Sequence, residues 1–173
     1  MHLNFVRRYL CRTGIERHQI FSARSPFARG AGDQWVRENY TKEVRAYRSR
    51  SKKAETALIV VIDADNFEVT ERLLRFGRAL EENELPPRAN NEQIIHFIPK
   101  RNIETWLCCL NGEVVDEIED CKKINKKNTA TFVSSITRAA ETLFHWSRPN
   151  ASIPKHCIPS LSIAIVELRR LES

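Results

Sequence analysis

The chain has 173 residues, of which 42% are hydrophobic and 29% are charged, a length and composition typical of one soluble globular domain and unlike a disordered or fibrous protein. No apolar run approaches the roughly 20 residues needed to cross a bilayer. The first residues place their basic pair, Arg7 and Arg8, after the apolar ones, which is not the pattern of a signal peptide. These features predict a cytoplasmic protein with one domain over residues 1–173.

Basic residues exceed acidic ones, and one segment holds most of the excess. Lys and Arg number 28 against 22 Asp and Glu, for a net charge of +6. Residues 37–53 carry seven of the bases and two of the acids, a local charge of +5. This suits a polyanion such as nucleic acid, while a solvated helix face explains it equally well. Candidate phosphate contacts in the segment are Arg45, Arg48 and Arg50.

The five cysteines are odd in number and show no C-x-x-C spacing. This pattern predicts neither a disulfide framework nor a zinc site. We therefore expect reduced thiols that mostly pack as small apolar groups.

Before the middle of the chain, the pattern of apolar residues predicts two helices with a strand and a loop between them. The first helix ends at Thr13-Gly14, and Asp33 is a candidate N-cap for the second. The predicted elements are a helix over 3–11, a strand over 18–23, a loop over 25–32 and a helix over 34–50.

Residues 57–62 are six apolar residues in a row and include four β-branched ones. Such a run suits a central parallel strand covered on both faces. A helical stripe follows over 69–80, and a second apolar strand is predicted over 94–98. Strand, helix and strand in succession predict an α/β domain with a parallel sheet.

After the second predicted strand, the sequence predicts mainly helices. Asn102 is the predicted N-cap of a helix over 103–110, and a charged, solvated stretch follows over 113–127. We expect an amphipathic helix over 129–146 and a final helix capped by Ser160. This C-terminal helical part, about residues 113–173, is predicted to cover a sheet within a core of about residues 3–110.

Asp63 and Asp65 directly follow the first predicted strand. Ligands of open parallel sheets bind outside the carboxyl ends of the strands, and side chains at i and i+2 of a strand point the same way. Two carboxylates facing one point suit Mg²⁺ or Mn²⁺, which can activate a water for phosphodiester cleavage. In the structural alternative, Asp65 or Asn66 caps the next helix and Asp63 only ends the strand.

Charged residues also follow the second predicted strand. Glu104 lies in the first turn of the next helix, where it can complete a metal site or complement the helix dipole. Lys100 and Arg101 precede it, either as phosphate contacts or as exposed side chains. A further phosphate cradle is conceivable at residues 29–32, before a helix, although Asp33 opposes an anion there.

Two segments, Ile59–Asn66 and Ile98–Leu107, together resemble the TOPRIM domains shared by topoisomerases, primases and the overcoming-lysogenization-defect class of nucleases. They are most similar to the short stand-alone TOPRIM-like proteins of bacterial and phage-defence loci. In those proteins a hydrophobic strand ends in D-x-D, and an I-E-x-W-L segment follows the next strand. The likeness covers roughly residues 3–110.

The resemblance implies a TOPRIM-like parallel sheet flanked by helices, with extra helices at the C-terminus. It implies Mg²⁺ or Mn²⁺ at Asp63 and Asp65, with Glu104 as an auxiliary metal-binding and catalytic carboxylate. The implied activity is hydrolytic cleavage of DNA or RNA by a nuclease, as the effector of an antiviral defence system. A protein partner such as an ATPase subunit, or a second copy of the chain, is implied as well.

The sequence departs from the family pattern at its start. A TOPRIM domain opens with a strand that ends in a glutamate, whereas Leu3 already belongs to the first predicted helix. We therefore expect an open apolar edge on the sheet, which invites a partner chain. Two hypotheses follow: a metal-dependent nuclease, or a non-catalytic, degenerate TOPRIM-like subunit that binds nucleic acid or a partner. A different phosphoryl-transfer fold with aspartates after a strand is a third possibility.

Overall fold

The computed structural model describes residues 1–23, 32–118 and 129–172. Within these ranges it is an α/β structure with a small parallel sheet between helices, which confirms the predicted fold class at that level. Short 3-10 helices cover Arg17–Gln19 and Arg169–Glu172. The main elements are α1 His2–Arg12, α2 Gly32–Arg50, β1 Leu58–Val61, α3 Val69–Glu82, β2 Ile94–Phe97, α4 Ile103–Leu110, α5 Thr129–Ser147 and α6 Pro159–Leu168.

The sheet consists of β1 and β2, which pair in parallel along their whole length. Pairing continues past the strands, because the Ile62 amide donates to the Phe97 carbonyl at 3.1 Å and the Ala64 amide to the Pro99 carbonyl at 2.7 Å. A parallel pair requires a crossover connection, and α3 provides it. The segments that follow the two strands therefore leave the sheet at the same edge.

Helices cover both faces of this sheet. One apolar cluster joins β2 to α1, α4, α5 and α6, and includes the fully buried Trp106. The other joins both strands to α2 and α3, and includes Tyr40 and Phe76. Side chains along each strand alternate between the two clusters, as strand geometry requires. The strands are therefore apolar except for His96 of β2, because an apolar cluster covers each face of the sheet. Among the described helices, none is long and apolar enough to span a membrane.

The edge of β2 that faces away from β1 is capped by two charged side chains. Glu167 of α6 accepts a hydrogen bond from the His96 amide at 3.4 Å, and Arg88 donates to the Ile94 carbonyl at 2.8 Å. Arg88 also forms a bidentate ion pair with Glu167, in which Nη1 donates to Oε2 and Nη2 donates to Oε1 at 3.0 Å. Since unpaired buried backbone groups are costly, this pair takes the place of a neighbouring strand.

The imidazole of His96 is part of the same buried network. Its Nε2 lies 3.1 Å from the Tyr40 hydroxyl, and its ring stacks on Phe76 with centroids 5.1 Å apart. Burial lowers the pKa of His96 and raises the pKa of Tyr40 to about 12. Both groups are thus held neutral at pH 7, and His96 is a structural residue.

Within residues 1–23, 32–118 and 129–172, no side chain caps the outer edge of β1 in a comparable way. Leu58 and Ile62 donate their amides toward β2, so the backbone groups of Ile59 and Val61 point the other way. No backbone or side-chain hydrogen bond to Ile59 or Val61 reaches that side from the described residues. The side chains of both are only partly buried, whereas every residue of β2 is buried. None of the described residues therefore occupies the edge that the sequence predicts to be open.

Three local predictions differ from the structure. The strand predicted over 18–23 is wrong, because a 3-10 helix capped by Glu16 and Gln19 occupies its start and residues 20–23 pair with no strand that the structure describes. Ser160 is not an N-cap: α6 begins at Pro159, and Ser160 donates its amide to Glu117 at 3.0 Å. Asp33 lies inside α2, which begins at Gly32. The predicted loop over 25–32 falls almost wholly outside the described residues.

Replacing Glu167 should expose its contribution to stability. Although burial raises the pKa of Glu167, hydrogen bonds with the side chains of His96 and Arg88 outweigh burial and lower that pKa to about 2. A carboxylate with a depressed pKa stabilises the fold above its ordinary pKa near 4.5, and the effect is lost as the pH falls from there toward 2. We expect Glu167→Gln to lower the free energy of unfolding by about 3 kcal/mol at pH 7. At pH 3 the gap in unfolding free energy between the variant and the wild type should be smaller.

Urea unfolding at both pH values measures this gap. Glu141→Gln is the control, because Glu141 is half-exposed, with a carboxylate 3.8 Å from Arg12, and should show a small gap at either pH. A Glu167→Gln gap that is equal at pH 7 and pH 3 would contradict the role assigned to the pair.

Candidate functional site

Asp63 lies just past β1, at the carboxyl edge of the sheet. Its Oδ1 is 2.8 Å from Nε2 of His2, a residue of the first turn of α1. The Asp63 side chain is 26% exposed, so the carboxylate is held by a neighbour and still reaches solvent. His2 is 61 residues away in sequence, and no local pattern in the sequence connects the two.

Asp65 lies two residues further on, in a different backbone conformation. Its φ is +55°, in the left-handed region, so the alternation of a strand no longer governs where its side chain points. The side chain is 63% exposed and lies 3.8 Å from the guanidinium of Arg72, which is almost fully buried in α3. Arg72 also donates to the Ala64 carbonyl at 3.4 Å. The predicted convergence of Asp63 and Asp65 thus has no support from strand geometry.

Glu104 lies in the first turn of α4, where it was predicted, and is half-buried. Asn102 is the N-cap, as expected, and its side chain accepts the Thr105 amide at 3.0 Å. Across the described ranges, no three His, Cys, Asp or Glu side chains lie close enough together to hold a metal ion. Asp63, Asp65 and Glu104 are therefore not gathered into a three-ligand site.

The donor chemistry still fits one type of cation. Mg²⁺ in proteins is commonly held by one or two carboxylates together with waters and substrate phosphates, rather than by a complete protein cage. Asp63 and Asp65 supply hard oxygen ligands that are accessible to solvent. His2 contacts only Oδ1 of Asp63, so Oδ2 remains for another partner. The two carboxylates thus have the chemistry of a partial set of Mg²⁺ ligands.

The two bases between β2 and α4 are partly committed to the fold. The Lys100 ammonium donates to the Phe67 carbonyl at 3.0 Å and forms an ion pair with Glu68. Arg101 is half-buried, and its Nε is buried without a hydrogen bond to any described atom. Both residues lie at the same edge of the sheet as the aspartates. Lys100 also fixes the turn that follows Asp65.

The predicted phosphate contacts of α2 lie at the opposite end of the sheet. Arg48 donates to Glu92 at 2.6 and 3.0 Å and to the Pro87 carbonyl at 3.1 Å, just before β2 begins. Arg45 donates to the Asn83 carbonyl at 2.9 Å, at the end of α3. These two bases hydrogen-bond the loops at the amino ends of the strands. Since the aspartates lie at the carboxyl ends, the two groups do not form one surface patch.

Arg50 differs from the other two arginines of this group. Its side chain is 61% exposed, and its nearest acidic partner is Glu43 at 3.8 Å. Of the three predicted contacts on α2, it is therefore the one left open to a polyanion. The phosphate cradle considered at residues 29–32 lies almost entirely outside the described residues.

Some functional candidates were missed from the sequence. His2 and Arg72 lie within 3.8 Å of the two aspartates, and nothing in the local sequence of His2 distinguishes it from other bases. Cys108 is disulfide-bonded, so the expectation that every cysteine is a reduced thiol is wrong for this residue. Arg72 does follow the D-x-D segment within one helix turn of the start of α3, which is the one signal available.

Arg48 should behave as a structural residue. Since its guanidinium makes charge-assisted hydrogen bonds with Glu92 in a largely buried setting, we expect Arg48→Met to lower the free energy of unfolding by about 1–3 kcal/mol. Arg50→Met should change it by less than about 0.5 kcal/mol. Denaturant unfolding of the two variants checks this. A fully stable Arg48→Met variant that loses affinity for nucleic acid would contradict the structural role.

Comparison of this chain with protein-family models, with curated proteins and with solved structures finds no match in any of the three. A functional assignment therefore depends on the residues at the sheet edge and on the motif resemblance.

Proposed function

We propose that this chain is a TOPRIM-like nuclease that hydrolyses phosphodiester bonds of nucleic acid with Mg²⁺ or Mn²⁺ at Asp63 and Asp65. The observation that supports it is the position of two solvent-accessible aspartates just after the parallel strand β1, at the edge where Lys100 and Arg101 follow the neighbouring strand. Ligands of parallel sheets bind at that edge. The role in antiviral defence and the ATPase partner rest on the resemblance alone.

Each residue at the edge has a distinct task in this proposal. Asp63 and Asp65 contribute carboxylate oxygens, and His2 orients Asp63 by donating from Nε2 to Oδ1. A divalent cation held there supplies Lewis acidity to the scissile phosphate. Arg101 and Lys100 contribute positive charge where the phosphate develops negative charge. Glu104, half-buried in the first turn of α4, is the auxiliary carboxylate.

Cleavage of plasmid DNA and of a structured RNA with Mg²⁺ or Mn²⁺ tests the proposal. We expect Asp63→Asn and Asp65→Asn each to reduce the rate at least about 100-fold, because each removes a charged ligand from a site with few protein ligands. Glu104→Gln should have a smaller effect. Chelation with EDTA should abolish cleavage in the wild type.

The matched control is Glu141→Gln, an acidic side chain on α5 with similar solvent access, which should cleave at the wild-type rate. Equal rates for wild type, Asp63→Asn and Asp65→Asn, all resistant to EDTA, would reject the assignment.

A second candidate is a non-catalytic TOPRIM-like subunit that needs a partner strand. It is favoured by two observations: His2 and Arg72 already contact the aspartates, and none of the described residues caps the outer edge of β1. A strand added there would have to be apolar on both faces, because Ile59 and Val61 face one core cluster and Val60 faces the other. β1 itself has that character, so a second copy of the chain is a suitable partner.

Amide hydrogen exchange of the purified chain tests this candidate. Val60 and Ile62 donate toward β2 and should exchange slowly, whereas the amides of Ile59 and Val61 should exchange far faster in dilute protein. Their protection should rise with protein concentration if a second copy adds its strand. Protection of Ile59 and Val61 that is high and independent of concentration would contradict the open edge.

A further inference from the structure

Two cysteines that are distant in sequence lie side by side on the face of the sheet covered by α4 and α6. Cys109 belongs to the last turn of α4, and Cys157 lies just before α6. Both pack in the same apolar cluster, Cys109 as a buried member and Cys157 as a partly buried one, and the Cys157 sulfur lies 3.7 Å from the Ile158 carbonyl. The Cys109 sulfur also lies 3.8 Å from the carbonyl of His156, next to Cys157. Both cysteines are free thiols, and neither takes part in the function proposed above.

The contact gives the two sulfurs different chemical properties. The hydrogen bond from Cys157 stabilises the thiolate of Cys109 and lowers the pKa of Cys109 to about 7, although burial opposes this. The same hydrogen bond raises the pKa of Cys157. Glu117 faces both sulfurs and raises both values, while the hydroxyl of Ser162 partly offsets the increase at Cys157. Cys109 is therefore the better nucleophile near neutral pH, since the thiolate is the reactive form.

We propose that Cys109 and Cys157 are a redox-active pair that a hydroperoxide such as hydrogen peroxide converts into a disulfide. The thiolate of Cys109 attacks one peroxide oxygen, an S–O bond forms, and the O–O bond breaks to release hydroxide, which takes up a proton to give water. Cys157 then loses its proton and its sulfur attacks the sulfur of Cys109. The S–S bond forms, the S–O bond breaks, and a second water leaves.

The electrons in this sequence balance. The two sulfurs together lose two electrons, and one peroxide is reduced to two waters. A thiol reductant reverses the reaction by exchange. Cys109 is buried whereas Cys157 is partly exposed, so a molecule as small as peroxide approaches the pair from the side of Cys157.

The new bond would fasten α4 to the segment that leads into α6. Both helices pack on the same face of the sheet. α4 begins at the edge that carries Glu104, and α6 carries Glu167, which caps β2. Because the cross-link closes a long loop of the chain, we expect the oxidised form to melt about 5–10 °C above the reduced form.

For the test, the full chain is first fully reduced, because Cys108 is disulfide-bonded in this structure. The reduced chain is then treated with stoichiometric hydrogen peroxide. Non-reducing digestion and tandem mass spectrometry then locate the linkage. We expect a Cys109–Cys157 cross-link that dithiothreitol removes. Cys108→Ser and Cys11→Ser should keep it, and Cys109→Ser and Cys157→Ala should lose it. Cys108→Ser is the matched control, because Cys108 and Cys109 share a peptide.

If the Cys109→Ser chain fails to fold, a measurement on a second variant still tests the proposal. In Cys157→Ala, which alters a partly buried side chain, the resolving thiol is missing, and Cys109 should accumulate as a sulfenic acid that dimedone labels more heavily than the exposed Cys11. Dimedone labelling confined to Cys11, a linkage that joins Cys109 or Cys157 to another cysteine instead of to each other, or a lower melting temperature after oxidation would each overturn the proposal.

Discussion

The ion pair between Arg88 and Glu167 is the constraint on which this small sheet depends. A sheet of two parallel strands has two open edges, and each edge presents backbone groups that need partners. On β2, Glu167 takes the amide of His96 and Arg88 takes the carbonyl of Ile94. A buried ion pair is expensive to desolvate. Here it also satisfies backbone donors and acceptors, which an apolar replacement cannot do.

The pair also explains why the two edges of the sheet differ. The outer edge of β2 is closed by Glu167 of α6 and by Arg88 of the loop between α3 and β2. Among the described residues, only the outer edge of β1 is therefore open. The same strand delivers Asp63 and Asp65 to the carboxyl edge. An open edge and a pair of solvent-accessible carboxylates thus lie on one strand, so a partner that added a strand to β1 would also approach the aspartates. The proposed catalysis and the proposed partner binding are therefore compatible with each other.

Much of the fold could be predicted from the sequence, because the strongest signals were local. The apolar run ending at Ile62, the stripe of α3 and the Asn102 cap each specify an element through nearby residues alone. The strand predicted over 18–23 failed because a strand needs a neighbour, which composition does not reveal. Ser160 was misread as a cap because its partner, Glu117, is distant in sequence.

The candidate site was predictable only in part, for the same reason. Asp63, Asp65 and Glu104 were found because they follow strands, and position along a strand is a local property. Their partners His2 and Arg72 approach through the tertiary packing of α1 and α3. The arginines of α2 were grouped by charge density, but Arg45 and Arg48 hydrogen-bond the loops at the amino ends of the strands. Local charge counts cannot distinguish a base that braces a loop from one that binds phosphate.

The most direct measurement of the central claim is a crystal structure of this chain with Mn²⁺ and a short phosphorothioate oligonucleotide that resists cleavage. The account predicts an anomalous manganese peak bound by oxygens of Asp63 and Asp65, with a phosphate of the oligonucleotide on the same ion. Manganese absent from both aspartates, with nucleic acid bound elsewhere and the His2–Asp63 contact unchanged, would contradict it.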